Sequence, residues 1–497
     1  MKRITWHKHH KWFGLCISFF MLMFCLSGIV LNHRSLVADM NVSRKYLPTR
    51  YHYDRWNNGL LRGTLPYTGA DSMPSILIYG SGGLWQTHAD ASSITDFNRG
   101  LPRGADYRNI RRVVSTPSGS LFAVSPFGLY RCGADGCWTT VSLPLEGDER
   151  LTDIEIMGDT LVVVSRSYLY LSIAPYTDFH KIQPDTPDGY DGRVSWFRTV
   201  WLLHSGELFG TVGKLVVDGI ALILILLCLT GLACWCLPGC TKRLRSRHRT
   251  TVGTTRLTRF SLLWHNRIGR WTIVLTLLIC LTGWCLRPPV MIPLVMNKMK
   301  PLPGTLLSNP NPWHDRLRLL RYDEACGDWL LSTSEGFFAL SLPEGTVKRL
   351  TDTPPVSVMG LNVLQKDMAG RWLCGSFSGL YVWDRQQCTS TDYFTHVSAP
   401  TKSGAPFGQQ AISGFSSDFA AGPFPVGYGE GTEAIPQPEE LSTLPMSLWN
   451  AALEVHSGRI YIGSAATLFF IFVAGLAAMW CLWSGWKLKN GRRRTEN

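Results

Sequence analysis

No glycine-rich dinucleotide fingerprint follows a strand in the short segments that flank the apolar runs of this chain, and those segments are too short to house a domain. Cytoplasmic NAD or flavin chemistry within the chain is thereby excluded. Acid is almost missing from the apolar runs, where Asp218 is the clear case, with Glu207 and Glu454 near the ends. It is missing altogether from the link Pro238–Leu262. No second Cys/His pair lies near Cys132 and Cys137, which argues against a structural zinc site there. The two long segments between apolar runs show little helical periodicity.

Four apolar stretches set the class: Trp12–Leu31, Leu215–Leu237, Ile268–Leu286 and Ile460–Trp483. About 20 helical residues cross a hydrocarbon core of roughly 30 Å. The first run is too long for a signal peptide and is followed by Asn32-His33-Arg34, so it reads as a retained span. Residues 1–11 carry four Lys/Arg, the link Pro238–Leu262 seven, and the tail after Trp486 five against one Glu. The rest of the chain sums to about −2 of the +13 total. Positive-inside bias therefore predicts a multi-pass inner-membrane protein with both termini and the link in the cytoplasm. The basic balance is explained by orientation, so nucleic-acid binding is not expected and membrane lipid is the first partner.

The expected fold class is an α-helical membrane protein, a four-helix transmembrane bundle with two long exported β-rich segments. Its boundaries read as a cytoplasmic N-terminus 1–11, span 12–31, β-rich segment 32–200 and interfacial helix with second span 201–237. A basic loop 238–262, span 263–287, β-rich segment 288–450, span 451–484 and cytoplasmic tail 485–497 follow. Within the long segments an apolar strand, a Gly turn and an aromatic strand recur. Gly83-Leu-Trp85, Phe127-Gly-Leu-Tyr130 and Ser378-Gly-Leu-Tyr381 carry the turn. Intervals of about 40–45 residues resemble propeller blades, about three in one segment and two in the other, which combine to bury their faces. Ser403–Leu444, rich in Gly, Pro and Ser, reads as a long loop. Cys132 and Cys137 bracket a tight turn that an oxidising compartment would close with a disulfide.

Histidines recur with the apolar runs. His10 with Gly14 opens the first, and His265 with Gly269 the third, 255 residues later. The same shift lays Cys25-Leu-Ser-Gly28 on Cys280-Leu-Thr-Gly283. The other two runs follow His204-Ser-Gly206 and His456-Ser-Gly458. Residues i and i+4 share a helix face, so each His-x-x-x-Gly sets an imidazole beside a gap that a porphyrin edge could fill. Histidine is a standard haem-iron ligand. His10 with His265 and His204 with His456 are thus candidate iron ligands for up to two b-type haems. His33 is a rival on the exported side, and His7 and His9 crowd His10. Arg34, Arg267, Arg270 and Arg459 flank these sites and suit propionate carboxylates.

The His-x-x-x-Gly helices, the Leu-Ser/Thr-Gly ends (Leu26-Ser-Gly28, Leu229-Thr-Gly231, Leu281-Thr-Gly283), the His-Ser-Gly openings and Gly28-Ile-Val-Leu-Asn-His33 together resemble the PepSY-associated transmembrane family. The resemblance covers the four helices, about a quarter of the chain. Characterised members include haem-containing inner-membrane ferric-siderophore reductases, so it implies histidine-bound haem b and reduction of a ferric siderophore or other ferric chelate on the periplasmic side. Electrons would come from a quinol or a cytoplasmic donor. The β-rich segments depart from the family's usual modules. Two other readings are a haem-free sensor or scaffold whose propeller binds a periplasmic partner, and a siderophore permease.

Overall fold

The computed structural model describes residues 3–68, 74–357, 359–400 and 410–493. Its helices, in chain order, are α1 (Arg3–Asn32), α2 (Trp196–Ser205), α3 (Gly210–Ser246), α4 (Val252–Trp271), α5 (Ile273–Cys285), α6 (Met291–Met296), α7 (Glu439–Ser442), α8 (Leu448–His456) and α9 (Ser464–Arg493). The chain divides into two compact units, each assembled from separate stretches of sequence. One comprises Met1–Arg34, Asp191–Asn309 and Trp449–Asn497; the other comprises Ser35–Tyr190 and Pro310–Leu448.

The expected four-helix class is corrected by this structure. Helix makes up 35% and strand 26% of the chain, the strands in several separate small sheets. Among the described residues, three helices are individually long and apolar enough to span a membrane: Ile4–Asn32, Glu207–Ser246 and Ala466–Leu488. The third apolar run is divided between α4 and α5, which meet at 69°. At 13 residues α5 reaches only about 20 Å, short of a core of about 30 Å. α4 carries Arg256, Arg259, Arg267 and Arg270 and is amphipathic, so the span expected over 263–287 is a bent pair.

In the helical unit α1 packs against α3 and α9, α3 against α4, and α5 against α2 and α9. The inner faces hold Ile17, Cys25, Ile220, Leu224, Ala474 and Ala478. Phe19, Leu222, Leu226 and Phe469 are exposed, as suits helices whose outer faces meet hydrocarbon. Both His-Ser-Gly triplets end short helices. Gly206 (φ +79°) stops α2 and Gly458 (φ +76°) follows α8, each in the left-handed conformation that closes a helix without a Cβ penalty. Ser195 caps the start of α2 by accepting from the Arg198 amide at 3.1 Å.

The second unit is built from antiparallel four-stranded sheets in simple up-and-down order, spanning 63–96, 112–141, 151–182, 317–349 and 361–392, with a two-stranded sheet over 412–427. The first strand of each packs against the first strand of the next, and Ile412–Ser416 packs against Gly63–Thr68, so six sheets close a ring. Three come from each long segment. The third and fourth are joined by Val162, Val164 and Leu169 packed with Leu317, Leu320 and Trp329, all nearly fully buried. Such side chains contribute roughly 1.5–3 kcal/mol each on burial, which explains why the two segments form one unit.

Two further expectations change. Ser403–Leu444 is not a plain loop, since Ile412–Ser416 and Phe424–Gly427 pair as strands and Glu439–Ser442 is helical; its residues 403–409 lie outside the described residues. Cys132 and Cys137 are free thiols. The hairpin register sets Cys132 opposite Trp138, and the turn is closed by the Gly133 amide donating to the Cys137 carbonyl at 2.9 Å.

Candidate functional site

The helical unit brings the four repeated histidines together as two pairs. The ring centroids of His10 and His265 lie 5.9 Å apart, and those of His204 and His456 lie 6.1 Å apart. Two imidazoles bound from opposite sides to one iron, each through a metal–nitrogen bond of about 2 Å, place their centroids about 6 Å apart.

Each imidazole lies against a glycine of another helix. A Cβ on Gly485 would stand 2.9 Å from His10 Cε1, on Gly231 3.3 Å from His265 Cε1, on Gly283 2.8 Å from His204 Cε1 and on Gly28 3.2 Å from His456 Cε1. A hydroxyl residue precedes every one of these glycines. The ring Nδ1 meets Ser484 Oγ at 3.5 Å (His10), Thr230 Oγ1 at 3.1 Å (His265), Thr282 Oγ1 at 3.1 Å (His204) and Ser27 Oγ at 3.2 Å (His456). Three of the rings also set Nδ1 on a helix carbonyl: Cys481 at 3.0 Å, Leu227 at 3.1 Å and Phe24 at 2.9 Å.

That pattern settles the tautomer. The four hydroxyls donate their own hydrogen to carbonyls one turn earlier, such as Thr282 to Leu278 at 2.9 Å and Ser484 to Cys481 at 2.8 Å. They and the carbonyls therefore accept from the ring, so Nδ1 carries the proton and Nε2 is a bare lone pair. Histidines that ligate metals are oriented in this way, with the second nitrogen donating to a carbonyl or other acceptor. Burial pulls His204 down to about 3, with His456 and Arg287 adding to the effect. Burial likewise pulls His456 down to about 4; the Phe24 carbonyl opposes it and Arg287 adds to it. Both rings are neutral at neutral pH, the form that binds metal.

Among the described residues no group of three or more His, Cys, Asp or Glu could hold a metal ion. Two opposed imidazoles instead suit an iron whose remaining positions are filled by a porphyrin, and the neutral Nε2 donors fit that group.

Other residues singled out in the sequence fall elsewhere. His33 gives its Nε2 to Asp218 Oδ2 at 2.6 Å, and Asn32 Nδ2 donates to Asp218 Oδ1 at 3.1 Å, so His33 joins a carboxylate and neither imidazole pair. His9 faces Trp6, Phe13 and Trp480, leaving His10 as the ring that meets His265. Cβ atoms on Gly14 and Gly269 would meet Cys481 Sγ at 3.5 Å and Leu227 Cδ2 at 3.4 Å, ordinary helix contacts. Arg34 stacks on Trp449 at 3.9 Å, Arg267 lies near Trp264 and Trp271, and Arg459 Nε donates to Glu454 Oε2 at 2.9 Å.

Sequence reasoning missed the role of Ser27, Thr230 and Thr282, and missed Ser484-Gly485 altogether. Arg287 was also missed; its guanidinium is felt by both His204 and His456.

No curated protein matches the chain. Among solved structures it is similar to the extracellular domain of a one component system from B. thetaiotaomicron, at 13% identity and a TM-score of 0.32. That match covers 76% of this chain and 40% of the other. A second match is described as the extracellular domain of a hybrid two component system from the same organism, at 13% identity, a TM-score of 0.31, and coverage of 76% and 39%. The chain thus spans about two fifths of their length. The family model described as "PepSY-associated TM region" matches residues 161–489, which take in three of the four paired histidines and three of the four Ser/Thr-Gly steps. This membrane protein belongs to the PepSY-associated TM region family.

Proposed function

We propose that this protein is a haem b oxidoreductase of the bacterial inner membrane that delivers electrons to a ferric chelate, in the first instance a ferric siderophore, on the periplasmic side. The observation that carries this reading is the pairing of four imidazoles at iron-spanning distance, each with its Nδ1 against a hydroxyl of another helix. His10 and His265 would hold one haem on the cytoplasmic side, and His204 and His456 a second on the periplasmic side. On α1, His10 and Gly28, which receives His456, are eighteen residues apart, about 27 Å along the axis and thus near opposite faces of a membrane. Bound haem supplies reversible one-electron chemistry; the protein orients the ligand rings and excludes water around them. Siderophore oxygen donors favour Fe(III) over the softer Fe(II), so one-electron reduction loosens the chelate. A membrane quinol or a cytoplasmic protein would be the donor, with both termini and the basic link 238–262 in the cytoplasm.

Purified protein should show low-spin b-type spectra, with up to two haems per chain by pyridine haemochrome. Dithionite-reduced protein should be reoxidised anaerobically by ferric siderophores, with Fe(II) captured by a chromogenic chelator. A colourless, folded preparation from haem-replete cells overturns the cofactor; reoxidation no faster than with iron-free chelators overturns the reductase.

The glycine contacts give a sharper test. Gly283→Ala would drive a methyl to 2.8 Å from His204 Cε1, closer than van der Waals contact allows, and should cost one low-spin haem. Gly14→Ala, whose methyl would meet Cys481 Sγ at 3.5 Å, should leave both in place. Haem stoichiometry and the low-spin Soret signal of the two variants check this.

A further inference from the structure

We propose that Arg287 is the carboxylate anchor of the His204–His456 pair, and that the carboxylate it takes is a propionate of the haem bound there. This rests on the haem reading above. Gly283, on which the His204 ring lies, and Arg287 are one helical turn apart, and the Arg287 amide still donates to the Trp284 carbonyl at 3.3 Å. Arg287 is half-buried and makes no direct ion pair or side-chain hydrogen bond among the described residues.

The charges around it are Arg459 and Glu454, and the Glu454 carboxylate is already held by Arg459 Nε at 2.9 Å. The carboxylate nearest Arg287 is thus already engaged by a second guanidinium, beside two imidazoles.

The internal repeat sharpens the point. The 255-residue shift puts Asn32 at the place of Arg287, and Asn32 is satisfied by the chain's own Asp218. The same shift puts Val473 at the place of Asp218, so the second half supplies no such carboxylate. A planar guanidinium at that position is suited to a carboxylate arriving with a ligand.

The test uses full-length apo-protein carrying His265→Ala, so that only the second pair is read. It is titrated with protohaem and with protohaem dimethyl ester, whose propionates are uncharged, following the Soret band. With Arg287 present the free acid should bind roughly 10- to 100-fold tighter than the ester, the range expected for a charge-assisted contact. Arg287→Lys should keep part of that preference and Arg287→Ala should abolish it. Equal binding of acid and ester with Arg287 present overturns the proposal while leaving the haem reading intact. A preference that survives Arg287→Ala overturns it too, and if ferric citrate affinity falls instead, the carboxylate belongs to the substrate. Failure of both porphyrins to bind removes the haem reading itself.

Discussion

His456→Ala should leave the protein with one low-spin haem and no ferric-chelate reductase activity. The ring is fixed at three points: its Nδ1 donates to the Phe24 carbonyl at 2.9 Å and to Ser27 Oγ at 3.2 Å, and its edge lies on Gly28. No other imidazole is placed to move in, because His33 is committed to Asp218 and His204 is already the other member of the pair. With only His204 left to hold a haem there, that site should turn high-spin or stay empty. The His10–His265 pair draws its supports from Ser484-Gly485 and Thr230-Gly231, so its low-spin signal should persist. On the proposed function, activity should fall at least 100-fold, because the haem held by this pair would be the one that passes the electron to the chelate. Equal loss of both haems would show that the two pairs are not independent.

The second large effect is expected in the ring of sheets. Asp323, 2% exposed, accepts from Trp372 Nε1 at 2.9 Å and faces Lys366 Nζ at 3.1 Å and Arg385 Nη1 at 2.6 Å. Its partners Lys366 and Trp372 lie in the next sheet, so one carboxylate ties two sheets together. Asp323→Ala strands Arg385, itself 6% exposed, with half its pairing gone. Breaking a buried pair from one side costs about 3–5 kcal/mol. In a unit of this size that lowers the melting temperature by roughly 10 °C. Calorimetry of the detergent-solubilised chain reads it, and an unchanged transition would show that the contact is worth nothing.

The same carboxylate predicts a pH response. Burial alone would raise it, but the hydrogen bonds from Trp372, Lys366 and Arg385 outweigh burial and hold it below the ordinary carboxylate value of 3.8. A group depressed in the folded state stabilises above its unfolded pKa, so this contribution is complete at neutral pH. It is lost only as pH falls below about 3.8 through the folded value, and Asp323→Asn should mimic the acid form at pH 7.

The histidines were legible because a costly residue type recurs at matched places beside apolar runs. Three of their cradles were half legible, as Cys-Leu-Ser/Thr-Gly in α1, α3 and α5. The fourth was hidden because α9 reads Cys481-Leu-Trp-Ser-Gly485, one residue longer, and breaks the pattern. That the hydroxyl and glycine receive an imidazole from another helix is a tertiary fact with no local signal. The bend at Thr272 was illegible for a different reason: no proline marks it, Gly269 one turn earlier was read as part of the histidine repeat, and the apolar run continues across it. Sheet number was approachable from the Gly-aromatic turns, but ring closure depends on Ile412–Ser416, inside a stretch whose Gly, Pro and Ser content resembles a loop.

Each paired histidine is received by a glycine from the other half of the duplicated chain: His10 by Gly485, His265 by Gly231, His204 by Gly283 and His456 by Gly28. The ring of sheets is likewise closed by the strand at 412–416 meeting the one at 63–68. A ribosome makes α1 first and α9 last, so His10 waits for nearly the whole of translation before its cradle exists. Nascent chains stalled before Ser484 should therefore be unable to complete the first pair, while the second, whose histidines and glycines all precede Ser484, is already fully encoded.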